Sequence, residues 1–172
     1  MAIKTIGVIG AGTMGNGIAQ VCAVAGLDVV MVDISAEAVQ RGLGVVAGSL
    51  DRLLKKEKIS QADRDAAVAR IRGSTAYADL AGADLVIEAA TENESLKLRI
   101  LKEIDAIVAP TAVIASNTSS LSITKLAAAV SHPDRFVGMH FFNPVPLMAL
   151  VELIRGLQTS DATLAAAQGF AV

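Results

Sequence analysis

The chain has 172 residues, of which 15 are basic and 17 acidic, so its formal net charge at pH 7 is −2. Its 53% hydrophobic content is enough to bury the core of about one domain. The near balance of charge and the 3% aromatic content argue against a nucleic-acid or membrane-surface partner and favour a protein that acts on small molecules.

The first motif is a glycine-rich turn between a predicted strand and a predicted helix. The apolar run Thr5–Ile9 leads directly into the segment Gly10-Ala11-Gly12-Thr13-Met14-Gly15. Gly10 permits the tight bend, Gly12 lets a pyrophosphate approach the backbone, and Gly15 lets the helix lie close on the sheet. The helix that opens at Thr13 offers free N–H groups and the positive end of its dipole to phosphates. The motif therefore predicts a dinucleotide-binding site, against the alternative of a turn with a purely structural role.

A carboxylate at the end of the second predicted strand indicates which dinucleotide binds. Residues 29–33 form an apolar run that ends on Asp33. This position follows the glycine motif at close to the spacing of about 20 residues at which an acidic side chain holds the adenosine ribose hydroxyls. Because the carboxylate repels a 2′-phosphate, the sequence favours NAD over NADP as the cofactor.

The single cysteine, Cys22, falls inside the first predicted helix. We interpret it as a small core side chain rather than a reactive thiol. A chain with no second cysteine for a disulfide fits a reducing compartment, and we expect a cytoplasmic protein. No cysteine or histidine cluster has metal-ligand spacing, so no metal site is predicted.

Two consecutive helices are predicted after Asp33. Ser35 has the character of an N-cap for a helix over residues 36 to about 58, and Ser60 caps a second helix to about residue 72, which Gly73 ends. Together they predict a helical hairpin inserted between strands.

Strands and helices alternate through the rest of the chain. The predicted strands cover residues 84–90, 112–116, 136–140 and 147–154, and the predicted helices cover 94 to about 108 and 123–130. This alternation predicts an α/β fold of the Rossmann type, with a doubly wound and mainly parallel sheet. A last helix opens at Ser160 and Asp161 and continues to Val172 with no stop signal. We therefore expect residues 1–172 to be one NAD-binding domain that forms the first part of a longer protein.

Polar residues follow two of the predicted strands at the edge where ligands bind in open α/β sheets. One group is Ser116-Asn117-Thr118-Ser119-Ser120 and the other contains His140 and Asn143. The chain turns around Pro144 and Pro146, so a returning strand could bring Glu152 beside the His140 imidazole. Such a pair suits alcohol oxidation, because the imidazole takes the hydroxyl proton and the carboxylate orients the imidazole. A structural histidine and a solvated carboxylate are the alternative, and His132 is expected to be exposed and idle.

Four segments carry a resemblance to a known family. They are Gly10-Ala11-Gly12-Thr13-Met14-Gly15, Glu88-Ala89-Ala90-Thr91-Glu92-Asn93, Ser116-Asn117-Thr118-Ser119-Ser120-Leu121 and His140-Phe141-Phe142-Asn143-Pro144-Val145-Pro146-Leu147-Met148 with Leu150-Val151-Glu152. The chain resembles the L-3-hydroxyacyl-CoA dehydrogenases over its whole length, and most of all their short-chain bacterial members, the 3-hydroxybutyryl-CoA dehydrogenases. The resemblance implies NAD-dependent interconversion of 3-hydroxybutyryl-CoA and acetoacetyl-CoA.

The resemblance also implies roles for residues at the active site. His140 would be the general base for oxidation or the acid for reduction, with Glu152 as its partner. Ser119 would bind the reacting oxygen and lie near the nicotinamide, and Asn143 would contact both cofactor and substrate.

Four further positions match ligand contacts of the family. Glu92 and Lys97 match residues that touch the ribose and nicotinamide end of NAD. Ser49 and Lys56 match contacts to coenzyme A, the carrier of the substrate. The alternative for the lysines is a solvated, charged helix face.

The sequence departs from the family in two respects. Ala149 stands where many relatives carry a lysine, and the all-helical second domain of the family is absent from the sequence. In the family that domain supplies another active-site asparagine, much of the acyl pocket and most of the dimer interface. We therefore expect the full-length protein to be a homodimer and these 172 residues to bind NAD with little turnover. Two alternatives stay open: a dehydrogenase of a free hydroxy acid, and an NAD-binding module without chemistry.

Overall fold

The strands of the chain assemble into one seven-stranded sheet. The computed structural model describes all residues from Met1 to Val172. The strands are β1 (Thr5–Ile9), β2 (Asp28–Val32), β3 (Ile71–Ser74), β4 (Leu85–Glu88), β5 (Val113–Ser116), β6 (Phe136–Phe141) and β7 (Val151–Ile154). Their order in the sheet is β3-β2-β1-β4-β5-β6-β7. All neighbouring strands are parallel except β6 and β7, which are antiparallel. The predicted doubly wound, mainly parallel sheet is thus confirmed.

Helices cover both faces of the sheet. They are α1 (Thr13–Val24), α2 (Ala36–Lys55), α3 (Gln61–Arg70), α4 (Glu94–Asp105), α5 (Ile123–Ala127) and α6 (Asp161–Ala171). One core cluster joins strand residues to α1, α2, α3 and α6, and a second joins the alternate strand residues to α4 and α5. Because successive strand side chains point to opposite faces, these strands bury apolar residues on both sides.

Side-chain caps start most of the helices where the sequence predicts them. Ser35, Ser60, Ser122 and Ser160 each accept a hydrogen bond from a backbone N–H in the first turn. Ser60 forms a full capping box with Asp63, whose pKa is lowered by the Ser60 hydrogen bonds.

The structure corrects the predicted ends of several elements. Helix α2 ends at Lys55 rather than near residue 58. Glu57 adopts φ 57°, a left-handed conformation that is incompatible with a continued α-helix. Helix α4 ends at Asp105 and α5 at Ala127, both earlier than predicted. The predicted strand over 147–154 is shorter, because residues 147–150 form a turn and an irregular segment and β7 covers only Val151–Ile154.

The structure contains a strand, β3, that the sequence does not predict. Helix α3 ends at Arg70 and β3 follows at once, so Gly73 lies inside an edge strand instead of ending a helix. A Cβ at Gly73 would lie 2.4 Å from Val39 Cγ1 of α2, so glycine is required there by close packing of helix on strand.

None of the helices combines the length and the apolar composition that crossing a bilayer requires.

Cys22 lies in the core, as predicted, with 3% of its surface exposed. Burial raises its pKa to about 12, so the thiolate that attacks electrophiles is scarce near neutral pH. We expect Cys22 to resist iodoacetamide at pH ~8 in the native chain and to react fully in denaturant. Intact-mass measurement of the alkylated fraction checks this; rapid native labelling would contradict it.

Candidate active site

Four segments of the chain converge on one edge of the sheet. In the strand register Ile9 lies opposite Glu88, Glu88 opposite Ser116, and Ser116 opposite Gly138. The residues that follow β1, β4 and β5 therefore lie beside the final residues of β6. This carboxyl edge is where open α/β sheets bind ligands.

The glycine turn after β1 has the form that a pyrophosphate needs. Gly10 adopts φ +104°, a conformation that favours glycine. A Cβ at Gly15 would lie 1.7 Å from the carbonyl oxygen of Gly10, which shows how closely α1 packs on the turn. A Cβ at Gly12 would meet nothing within 4 Å, and no side chain caps α1 there. The first N–H groups of α1 thus face open space that an anion can occupy.

Asp33 lies directly beside this turn. Its Oδ2 accepts a hydrogen bond from the Ala11 N–H at 2.8 Å, and its Oδ1 accepts one from the Ile34 N–H at 2.7 Å. Each carboxylate oxygen keeps capacity to accept a further donor such as a ribose hydroxyl. The negative charge of the carboxylate would repel the 2′-phosphate of NADP. The residues of the turn and Asp33 therefore fit NAD.

A cavity of about 510 Å³ opens next to Asp33, and the sequence did not predict its walls. Tyr77 and Arg99 line it together with Asp33. Burial, and then the carboxylates of Glu103, Asp33 and Glu88, raise the pKa of Tyr77. Its phenol therefore stays neutral near physiological pH and can donate a hydrogen bond to a ligand.

His140 and Glu152 lie opposite each other in the antiparallel pair β6–β7. His140 Nδ1 is 3.5 Å from Glu152 Oε1, with the imidazole 20% and the carboxylate 59% exposed. The distance is within ion-pair range and longer than a standard hydrogen bond, as is common in catalytic pairs before substrate binds. The ring of Phe142 lies 4.5 Å from the imidazole, centroid to centroid. The structure thus brings together the pair that the sequence left open, and His132 is exposed elsewhere.

The loop after β5 is held against the end of β6. Asn117 Oδ1 accepts a hydrogen bond from the Phe141 N–H at 2.8 Å, next to His140. This contact, which the sequence did not predict, brings the segment that carries Ser119 to the His140 side of the edge. Ser119 and Asn143 are both exposed.

Glu92 fastens the same loop from the β4 side. Its Oε2 accepts hydrogen bonds from the hydroxyls of Thr118 at 2.9 Å and Ser120 at 3.0 Å. These two residues flank Ser119 in the chain. Glu92 is therefore close to the predicted reaction centre, and its contact with NAD stays a prediction.

Lys97 is buried rather than solvated. Its side chain is 1% exposed, and its Nζ pairs with Glu88, which is fully buried. Ser116 Oγ donates to the same Glu88 oxygen at 2.8 Å, and Ala90 N–H donates to the other at 2.9 Å. Glu92 Oε1 is 3.9 Å from the Lys97 nitrogen. The alternative of a charged helix face is thus wrong for Lys97, whose contact with NAD stays a prediction.

A groove of about 280 Å³ lies between α1, α2 and the turn that follows β6. Ser49 and Lys56, the two residues matched to coenzyme A contacts, both line it, and so does Asn143. Gln20 of α1 and Arg52 of α2 also line this groove, and no sequence motif points to either. The only sequence signal for Gln20 is that it is a polar residue within an apolar helix. The only signal for Arg52 is that it is a cation one helical turn before Lys56.

Comparison with known proteins gives concordant matches. The family model described as "3-hydroxyacyl-CoA dehydrogenase, NAD binding domain" matches residues 5–172. A 3-hydroxybutyryl-CoA dehydrogenase of Bradyrhizobium diazoefficiens is 51% identical over 98% of this chain and 57% of its own length. The crystal structure of an (S)-3-hydroxybutyryl-CoA dehydrogenase from Ralstonia eutropha has 68% identity and a TM-score of 0.97, covering 99% of this chain and 60% of that one.

A second solved structure agrees with the first. FadB2 of Mycobacterium tuberculosis is 44% identical and has a TM-score of 0.97, with 99% of this chain and 60% of that chain covered. The chain therefore spans 57–60% of the length of these three relatives.

Proposed function

Because the chain belongs to the 3-hydroxyacyl-CoA dehydrogenase family, as its NAD-binding domain, we propose that it provides the cofactor site and the acid–base pair of a 3-hydroxybutyryl-CoA dehydrogenase. The reaction interconverts an L-3-hydroxyacyl-CoA, 3-hydroxybutyryl-CoA, and the corresponding 3-ketoacyl-CoA, acetoacetyl-CoA. The single observation that carries this proposal is the 3.5 Å approach of His140 to Glu152 at the edge that also holds the glycine turn.

The side chains divide the chemistry between them. Glu152 faces Nδ1 of His140, which favours a proton on that nitrogen and leaves Nε2 free to accept the substrate hydroxyl proton. The carboxylate then stabilises the imidazolium that forms. Bound NAD supplies the hydride acceptor. In the reverse direction the imidazolium returns its proton to the 3-keto oxygen.

Ser119 and Asn143 orient the reacting group. The Ser119 hydroxyl donates a hydrogen bond to the substrate oxygen, and the loop that carries it is fixed by Asn117 and Glu92. The Asn143 amide contacts the cofactor and the substrate side. Ser49 and Lys56 bind coenzyme A along the groove that Asn143 shares with them.

Turnover needs more enclosure than these residues offer. The relatives are longer, and Leu147, Met148 and Leu150 are 75%, 44% and 59% exposed next to β7. Near-attack geometry requires a held and desolvated substrate. We therefore propose that the 172-residue chain binds NAD and turns over acetoacetyl-CoA slowly. A cytoplasmic homodimer stays a prediction for the full-length protein.

Gly12→Ala tests the cofactor site without disturbing the fold. Gly12 has φ −71° and free space around a Cβ, so we expect the free energy of unfolding to change by no more than about 1 kcal/mol. The added methyl group lies where the pyrophosphate must touch the backbone. We expect NAD affinity, measured by calorimetric titration, to fall about tenfold to a hundredfold.

The matched control is Gly44→Ala, a substitution in α2 that also meets nothing within 4 Å. It should leave NAD affinity unchanged. Equal NAD affinity in the Gly12→Ala chain, or tighter binding of NADP than of NAD to the unmutated chain, would contradict the proposed cofactor site. Comparison of acetoacetyl-CoA with free acetoacetate then separates a thioester dehydrogenase from a free hydroxy acid dehydrogenase.

A further inference from the structure

Gln20 is the one buried polar residue of this protein whose side chain makes no hydrogen bond. Nine polar or charged residues are buried, and Gln20 is 2% exposed. The other eight each take part in at least one side-chain hydrogen bond; they are Asn16, Glu88, Lys97, Ser116, Thr118, Arg135, Thr159 and Thr163. The Gln20 amide has no hydrogen-bond partner in the chain. A buried amide without a partner is unfavourable, and native proteins rarely keep one unless a ligand or water satisfies it.

The small exposed part of Gln20 lies at its amide. Arg135 Nε is the only side-chain nitrogen or oxygen in the chain that is fully enclosed and has no hydrogen-bond partner. The Gln20 amide also has no partner, so its oxygen and its nitrogen must each be partly accessible. Gln20 lines the groove between α1 and α2, so this access is from the groove. A ligand there meets one acceptor and two donor hydrogens that no protein group uses.

We propose that Gln20 binds an amide of the pantetheine arm of the CoA thioester, an inference that rests on the proposed function. A secondary amide presents one N–H and one C=O, which match the acceptor and donor of the Gln20 side chain. The groove also contains Ser49 and Lys56, the residues assigned to coenzyme A, and Asn143, which follows β6. Gln20 thus shares one groove with the coenzyme A contacts and with a residue assigned to the reaction centre.

The carboxamide of NAD is the other source of an amide. Of the residues assigned to the cofactor, Thr13 and Asn143 line the groove, whereas Asp33, Glu92 and Ser119 do not. Ser49 and Lys56, both assigned to coenzyme A, line it with Gln20, so the groove favours the pantetheine arm. The apolar side chains of Val45, Leu53 and Val145 in its walls suit the methylene segments of a pantetheine chain. Gln20 is accordingly a specificity-determining residue for the thioester carrier.

The direct test is nuclear magnetic resonance of the Gln20 side-chain amide, assigned by its loss in Gln20→Met. Pantetheine and coenzyme A, titrated to millimolar concentration, should shift this amide signal saturably. Cysteamine, which has the thiol but neither amide, should not shift it. The titration itself is made on the unmutated chain, and Gln20→Met serves only to assign the signal.

The variant gives the energetic test. Gln20→Met keeps an unbranched side chain of similar length, and we expect it to weaken pantetheine binding about tenfold while NAD affinity stays within about twofold. The matched control is Gln40→Met, an exposed glutamine of α2 outside the groove, which should change neither affinity.

Each contrary outcome identifies what fails. Unchanged pantetheine affinity in Gln20→Met, with coenzyme A still bound, overturns the role of Gln20 alone. A selective loss of NAD affinity overturns it in favour of the nicotinamide carboxamide. Absence of any coenzyme A binding, with NAD still bound, overturns the thioester substrate of the proposed function and this inference with it.

Discussion

His140→Gln should lower the turnover number by about a hundredfold to ten-thousandfold while NAD affinity stays within about twofold. Glutamine retains a polar group near the position of Nε2 but cannot accept a proton at neutral pH. His140 belongs to β6, whose pairing with β5 and β7 does not depend on the imidazole. The loss should therefore appear in the chemical step and leave the cofactor site intact.

The measurement is the rate of NADH oxidation with acetoacetyl-CoA. It is made on a form of the protein that is active before mutation. His132→Gln is the control, because His132 is exposed in a loop outside the site. It should keep the full rate. An unchanged rate in His140→Gln would rule out acid–base catalysis by His140 and leave the chain as an NAD-binding module.

Glu152 can be placed in the same scheme by a double-mutant cycle. Glu152 faces His140 Nδ1, so its contribution should pass through the imidazole. Glu152→Gln alone should slow turnover, and the double variant should be no slower than His140→Gln. Additive losses in the cycle would mean that Glu152 acts independently of His140.

Lys97→Met should lower the free energy of unfolding by about 3–5 kcal/mol. Lys97 and Glu88 have 1% and 0% of their side chains exposed, and removal of the cation leaves the Glu88 carboxylate buried without its counterion. Ser116 and the Ala90 N–H still donate to that carboxylate, but neither carries charge. A loss of this size is a large share of the roughly 5–15 kcal/mol that stabilises a typical domain.

Denaturant titration followed by circular dichroism measures this loss. Lys125→Met is the matched control, because Lys125 pairs with Glu94 on the surface with 65% and 37% of the side chains exposed. That pair should contribute no more than about 1 kcal/mol. The double variant Glu88→Met with Lys97→Met should recover most of the stability, since apolar residues often replace a buried ion pair without loss. A loss under about 1 kcal/mol in Lys97→Met would contradict the buried pair.

Local signals made most helices and the glycine turn predictable. Caps at Ser35, Ser60, Ser122 and Ser160 depend on contacts within one turn, so neighbouring residues are sufficient to predict them. Strand β3 was not predictable in this way. It contains Gly73 and lies at the sheet edge, and only its packing against α2 and its pairing with β2 make it a strand.

The sequence also did not predict where the long polar side chains of the helices point. Lys97 and Gln20 each lie on a helix, and the helical pattern says nothing about whether a neighbouring strand provides a counterion or a groove. Glu88 comes from β4 and Ser116 from β5, and both reach Lys97 only because these strands are adjacent and in register. Gln20 is left unpaired because α1, α2 and the turn after β6 leave a groove between them.

The sequence by itself determined the kind of ligand and the residue types of the site, because the glycine turn, the acidic strand end and the polar strand ends are local patterns with local causes. The tertiary structure alone decided which of these residues meet. Antiparallel pairing of β6 with β7 sets Glu152 opposite His140, and a shift of one residue in that register would turn the carboxylate to the other face of the sheet. Long-range strand pairing therefore makes the acid–base pair, and no spacing along the chain specifies it.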